Sequence, residues 1–265
     1  MKLLPILVSA LVWAMAAEAQ DWAKARLDKS PRHLEWVKIK QGERTINCFV
    51  AFPEVQEKAT AVVVIHEIFG LTDWVRGVAD QLAEAGYIAI APDLLSGMAP
   101  GGGGTAELGG NDGVRKAISS LPRPQVIADL DAVAAYVVHL PACSGKVTVA
   151  GFCWGGTQSF QFASNNKDLK AAFVFYGTGP ENPQDIARVN CPVYGFYGGN
   201  DARVTATVPK SEELMKQAGK TYDPVIYKGA GHGFMRAGEA PDASPDNKEA
   251  HDQAWVRWKK VLKQI

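Results

Sequence analysis

Cysteine is scarce in this chain: Cys48, Cys143, Cys153 and Cys191 are the only four among 265 residues. That is too few for a fold stapled by disulfides. Their spacing contains no Cys-x-x-Cys pair and no Cys/His grouping of the zinc type, so no structural metal is implied. If Cys153 is kept as a reduced thiol, the other three allow one bridge with a thiol left over, or no bridge. An excess of one charge is also missing. Lys plus Arg and Asp plus Glu balance at 28 each, and no dense basic run occurs. Attraction to nucleic acid or to an anionic membrane is therefore not expected. The apolar run at the N-terminus, Leu3 to Ala14, is too short to cross a bilayer comfortably. There is no internal repeat and no interdomain linker, and nothing marks an oligomeric state.

What is present suits one globular domain acting on a small molecule. Apolar residues make up 47% and charged residues 21%, enough for a substantial core in a chain of this length. The N-terminus reads separately. Lys2, the apolar stretch Leu3 to Ala14, and the small-x-small site Ala17-Glu18-Ala19 before Gln20 form the pattern of a secretory signal peptide. Residues 1–19 are thus expected to be removed and residues 20–265 to form the domain. The product would be periplasmic or secreted, with no stable membrane insertion; an uncleaved anchor is the alternative.

Order is expected from near Leu34. Leu34 to Lys40 and Arg44 to Phe52 alternate as an antiparallel pair around the turn Gln41-Gly42-Glu43. The continuous apolar run Ala61 to Ile65 reads as a strand covered on both faces. Thr72 is placed to cap a helix with Val75, Ala79 and Leu82 inward, and Tyr87 to Ala91 is the next strand. The Gly-rich segment 97–113 reads as a flexible surface excursion folding over a site. It lacks the Gly-Lys-Ser/Thr ending and the immediately preceding strand of a phosphate cradle. Helices at 124–140, 155–165, 183–188 and 208–218 then alternate with strands at 146–151, 171–176, 192–197 and 224–227. Ser244-Pro245 opens a terminal helix with Trp255, Trp258 and Leu262 inward. This order predicts a single α/β domain with one mostly parallel sheet between two layers of helices.

The chemistry concentrates in four motifs. Gly151-Phe152-Cys153-Trp154-Gly155 has the form of a nucleophile elbow, a sharp strand-to-helix turn that exposes its central side chain, here cysteine. Gly198-Gly199-Asn200-Asp201 and Gly229-Ala230-Gly231-His232-Gly233 each follow a strand, which places Asp201 and His232 on the same rim. A thiol attacks as thiolate, so it needs a base within reach and a carboxylate to orient that base. The order Cys153, Asp201, His232 matches that requirement. Taken singly, each residue also has a plain reading: Cys153 as packing, Asp201 as a cap or turn residue, His232 as a loop residue. The fourth motif, His66-Glu67-Ile68-Phe69-Gly70, follows strand 61–65. Glu67 either pairs with an arginine, Arg236 being a candidate, or contacts the thiol as a second carboxylate.

On these four motifs the chain from about Leu34 to the C-terminus resembles the dienelactone hydrolase family of the α/β-hydrolase superfamily. The resemblance implies an α/β-hydrolase fold and Cys153 as nucleophile, with Asp201 and His232 as partners. Glu67 would assist thiolate formation when substrate binds. It further implies an oxyanion hole from the backbone amides of Ile68 and Trp154, and substrate binding by Arg236. Hydrolysis of an enol lactone through a thioester would follow, with no metal or organic cofactor.

Two features depart from the family. Characterised members hold a substrate carboxylate with two arginines, and the position after Pro92-Asp93-Leu94 is filled here by Leu95-Ser96-Gly97-Met98. A signal peptide is also unusual for the handling of aromatic ring-cleavage products. A carboxylic ester or lactone hydrolase is the resulting expectation. A thioesterase or other acyl transferase on the same residues is a second reading, and a non-catalytic binder a third.

Overall fold

A computed structural model describes residues 21–265; the expected signal peptide, residues 1–19, lies outside the described residues. Order begins earlier than expected, because residues 21–27 are already helical (α1). Ala23 and Leu27, one turn apart, are buried against the domain. The stretch after α1 is tied down by charge. Arg32 donates through Nε and Nη2 to both oxygens of Asp80 at 2.6 and 2.7 Å, and Ser30 Oγ donates to the same carboxylate at 2.6 Å. Arg26 adds an ion pair to Glu239 at 2.7 Å.

Eight strands form one sheet in the order β1-β2-β4-β3-β5-β6-β7-β8. They are β1 (Leu34–Gln41), β2 (Arg44–Ala51), β3 (Ala59–Ile65), β4 (Ile88–Pro92), β5 (Cys143–Phe152), β6 (Ala172–Phe175), β7 (Val193–Gly198) and β8 (Tyr222–Tyr227). Strand β2 pairs antiparallel with both β1 and β4, and all other pairings are parallel. Only β2 therefore runs against the other seven.

The apolar runs read as doubly buried strands do serve two cores, because alternate residues face opposite ways. Val63, Ile65, Ile90, Val149 and Val174 pack on one face with α4 (Arg123–Val138), α5 (Trp154–Ala163) and α8 (Val208–Gln217). Val62, Val64, Ala89, Phe152, Phe175 and Phe196 pack on the other with α2 (Asp73–Glu84) and α10 (Pro245–Leu262). The expected inward residues Val75, Ala79 and Leu82 of α2, and Trp255, Trp258 and Leu262 of α10, are all buried. Ser244 caps α10 through the Asn247 amide with Pro245 at the first turn, as its sequence implies.

Several local expectations are corrected. Thr72 occupies the N-cap position of α2, but its hydroxyl makes no cap hydrogen bond. The segment 97–113 is not simply loop. It holds turns at Pro100–Gly102 and Thr105–Glu107, and α3 (Asn111–Ser120) begins inside it. Val114, Ala117 and Ile118 have helical spacing and bury against Leu95, which the surrounding glycines mask in the sequence. The short helices α6 (Pro183–Ala187), α7 (Ala202–Thr205) and α9 (Phe234–Ala237) complete the fold. Cys48, Cys143 and Cys191 are buried and, like Cys153, free thiols, so the no-bridge alternative holds. Among the described residues no helix is long and apolar enough to cross a membrane.

Asp80 is fully buried and its ion partner Arg32 nearly so. Removing one member of such a pair strands the other, so Asp80→Ala should lower the unfolding free energy by roughly 3–5 kcal/mol. Urea denaturation monitored by tryptophan fluorescence measures this, and an unchanged midpoint contradicts the anchoring.

Candidate active site

The carboxyl ends of β3, β5, β6, β7 and β8 share one rim, and the site is assembled there from their following turns. Cys153, directly after β5, has φ 56 and ψ −115, an arrangement that costs a non-glycine residue about 1–3 kcal/mol. Two bonds hold the strained turn: Cys153 N donates to Phe175 O at 3.0 Å, and Thr157 N to Cys153 O at 3.2 Å. The elbow tolerates no side chains on either flank. A Cβ on Gly151 would collide with the Gly155 carbonyl, and one on Gly155 with the carbonyls of Ile65 and His66. The spacing of these glycines is thus a steric requirement of β5 turning into α5 beside β3.

His232 lies between Gly229 (φ 75) and Gly233 (φ 76), whose positive φ values bend the chain back after β8. That turn is stitched to the one after β7. Asn200 N donates to Ala230 O at 2.9 Å, and Asn200 Nδ2 to Gly229 O at 2.8 Å. Gly231 N is held by Asn247 Oδ1 of α10 at 2.9 Å. The result is a continuous row: Asp201 Oδ2 to His232 Nδ1 at 2.5 Å, then His232 Nε2 to Cys153 Sγ at 3.0 Å. Asp201 is also a cap residue, because its other oxygen, Oδ1, accepts from the Val204 amide at 3.4 Å at the start of α7. The hydrogen bond to Cys153 and then that to Asp201 push the His232 pKa up to about 9, against the opposing effect of burial.

Glu67 is buried, and Arg236 Nε donates to its Oε2 at 2.8 Å. Of its two readings, the geometry shows the ion pair, while the sulfur's hydrogen bond goes to His232. Ile68 lies in the turn after β3 and Trp154 at the start of α5, and neither amide donates to another backbone group among the described residues. The His66 ring stacks on Trp154 at 5.4 Å and its Nδ1 bonds Glu67 O at 2.8 Å, which bridges the two turns.

Two aromatic residues adjoin these groups, Tyr176 outside the four motifs and Phe69 within the fourth. Tyr176 has φ 41 and is buried with its ring edge-on to His232 at 5.1 Å. Burial first, and then the charge of Glu67, holds its phenol well above the usual range. Phe69 lies beneath two guanidinium groups, those of Arg236 and Arg115, each 5.3 Å from its ring centroid. Where the sequence departs from the two-arginine pattern, Leu95 and Ser96 are buried. Met98 packs with Leu95, Val114, Ile118, Ile68 and Trp154 in a small apolar cluster. Among the described residues no group of three His, Cys, Asp or Glu is placed to hold a metal ion.

Comparison with known proteins agrees with this architecture. The model of the dienelactone hydrolase family matches residues 46–265. A protein of Methylorubrum extorquens named "Putative carboxymethylenebutenolidase" is 34% identical over 210 residues, covering 75% of this chain and 71% of that protein. A protein of Escherichia coli K12 with the same name is 32% identical over 213 residues, covering 74% and 75%. A crystal structure from Klebsiella pneumoniae described as a "Putative Dienelactone Hydrolase" superposes with a TM-score of 0.77 at 28% identity. That match covers 88% of this chain and 99% of the other. The dienelactone hydrolase of Anabaena variabilis shares the fold, with a TM-score of 0.64 at 20% identity over 84% and 95% of the two chains.

The raised His232 pKa has a consequence for stability. The ordinary value of 6.5 rises to about 9 on folding. The interactions that hold the proton are therefore fully present below about pH 6.5 and are lost as pH rises through about 9. The thermal midpoint of wild type should fall relative to that of His232→Ala across this window. Parallel curves for the two proteins would contradict the arrangement.

Proposed function

The chain belongs to the dienelactone hydrolase family, a family of hydrolases, and on that premise we propose that it is an exported carboxylic ester and lactone hydrolase working through a thioester on Cys153. The observation that carries this reading is the unbroken row from Asp201 through His232 to a sulfur held on a positive-φ turn.

The reactive form pairs a Cys153 thiolate with an imidazolium at His232, the proton of the Sγ–Nε2 hydrogen bond residing on Nε2. Asp201 steadies that cation through Nδ1 and fixes the ring's orientation. The thiolate attacks the carbonyl carbon, a C–S bond forms, and the displaced electron pair settles on the carbonyl oxygen. The amides of Ile68 and Trp154 receive that oxyanion. As the tetrahedral centre collapses, the alcohol oxygen leaves with the proton from Nε2, and the thioester remains. Esterification of the sulfur removes the leading cause of the raised His232 pKa. The ring then returns towards its neutral form and can accept a proton from water. The resulting hydroxide equivalent attacks the thioester, the acid departs, and the sulfur is restored.

Arg236 supplies positive charge for an acidic group on the substrate. Such a group competes with Glu67 for the guanidinium, and Glu67, once displaced, assists thiolate formation. Because the place of a second arginine is taken by buried Leu95 and Ser96 and by Met98 of the apolar cluster, neutral esters should be handled at least as well as an anionic dienelactone.

Steady-state assay of the reduced mature protein on a dienelactone and on a short-chain aryl ester tests the reading. We expect a burst of phenol stoichiometric with enzyme and kcat/KM for the ester equal to or above that for the lactone. Cys153→Ala should lose on the order of a thousandfold or more in rate. Full activity in that variant would sink the mechanism. Export rests on the residue pattern 1–19. N-terminal sequencing of the extracytoplasmic protein should begin at Gln20, and retention of Met1 on a membrane-bound product would overturn it.

A further inference from the structure

The turn that follows β3 carries both Glu67 and the Ile68 amide, and it is clamped from outside by the Gly-rich segment. Within the turn, Gly70 N donates to Glu67 O at 3.1 Å, and Gly70 has φ 73. The space that a Gly70 side chain would occupy is filled by Thr105, because a Cβ there would overlap its Oγ1 and Cγ2. Thr105 Oγ1 also accepts from the Leu71 amide at 3.1 Å. Its single hydroxyl proton goes to Asp93 Oδ1 at 2.7 Å, and Thr105 N donates to Asp93 Oδ2 at 2.8 Å. Asp93 is itself fixed. It is buried directly after β4, takes a further bond from Leu95 N at 3.1 Å, and donates its own amide to Asn47 O at 2.8 Å. Gly104 lies so close that a Cβ would overlap the Asp93 carboxylate. Glu107 Oε2 closes the loop onto Gly104 N at 2.8 Å.

From this chain of contacts we propose that Thr105, anchored by Asp93, is a positioning residue that holds the Glu67–Leu71 turn and so aims the Ile68 amide at the developing oxyanion. The inference rests on the hydrolase reading above and deepens it. A hydroxyl that donates to a fixed carboxylate and accepts from a turn amide has one geometry that satisfies both. The Gly-rich segment then acts as a brace for the oxyanion turn, with glycines at the two points where side chains would block contact. A displacement of the donor of about 1 Å is enough to cost on the order of a hundredfold in rate.

Thr105→Val keeps the shape but removes the hydroxyl, and Thr105→Ser keeps the hydroxyl. We expect Thr105→Val to lower kcat for a short-chain aryl ester by about ten- to a hundredfold with KM changed less than about threefold. Thr105→Ser should recover to within about threefold of wild type. Alkylation of Cys153 by iodoacetamide should proceed at the wild-type rate in both, since the sulfur's partner His232 lies on a different turn and the other three cysteines are buried. Hydrogen exchange at the Leu71 amide should quicken in Thr105→Val alone. Retained kcat in Thr105→Val, unchanged Leu71 exchange, or equal loss in both variants overturns the proposal. So does a parallel fall in alkylation, which would mark a general disturbance. If wild type shows no Cys153-dependent hydrolysis, the functional reading fails instead, and Leu71 exchange alone decides whether the brace exists.

Discussion

The close approach of α5 to the ends of β3 and β5 is the constraint on which the site depends. Backbone meets backbone there, with Gly155 against the carbonyls of Ile65 and His66 and Gly151 against that of Gly155. Because no side chain intervenes, the start of α5 and the turn after β3 are held at one separation. That separation sets how far the Trp154 amide lies from the Ile68 amide, and where the sulfur sits relative to both. A larger residue at either glycine would part the turns rather than merely crowd them. The stacking of His66 on Trp154 reinforces the same join from the side.

Electrostatics divides the rim into two neighbouring pairs with different exposure. Glu67 and Arg236 form one, with the carboxylate buried and the guanidinium partly open to solvent. Asp201 and His232 form the other, again with the acid buried and the cationic partner more open. In each case the less accessible member is an acid, and the more exposed group is the one that carries or accepts positive charge. Tyr176 lies against His232 with its hydroxyl buried and unpaired among the described residues. It supplies bulk and a low-dielectric wall beside these charges, where their fields are stronger than in water.

Much of this was legible in the sequence because the information is local. Strand β3 announces itself as an unbroken apolar run, and the elbow glycines flank Cys153 at the positions that sterics demand. Asp201 and His232 follow strands, so their convergence is a consequence of parallel order. What escaped reading is non-local or short. Helix α3 is seeded among Gly109, Gly110 and Gly113, and its inward residues make sense only once Leu95 is placed beneath them. Helices α7 and α9 have four residues each, too few for periodicity to register. Tyr176 looked like the last residue of a strand, and its positive φ is set by tertiary packing. The partner of Glu67 could not be chosen because it depends on where α9 brings Arg236, which is 169 residues away in the chain.

The two oxygens of Asp201 serve different clients, one the amide of Val204 and the other the ring of His232. Replacement by asparagine, nearly identical in shape, is therefore not free to choose its orientation. The backbone amide at the start of α7 calls for the carbonyl oxygen, which turns the NH2 group towards His232 Nδ1. Two donors then face each other unless the ring gives up its proton at Nδ1 and carries it at Nε2. In that form the nitrogen beside the sulfur has no lone pair with which to take a proton. A minor helix cap thus determines how the histidine reads its neighbour, and it makes this acid less exchangeable than its size suggests.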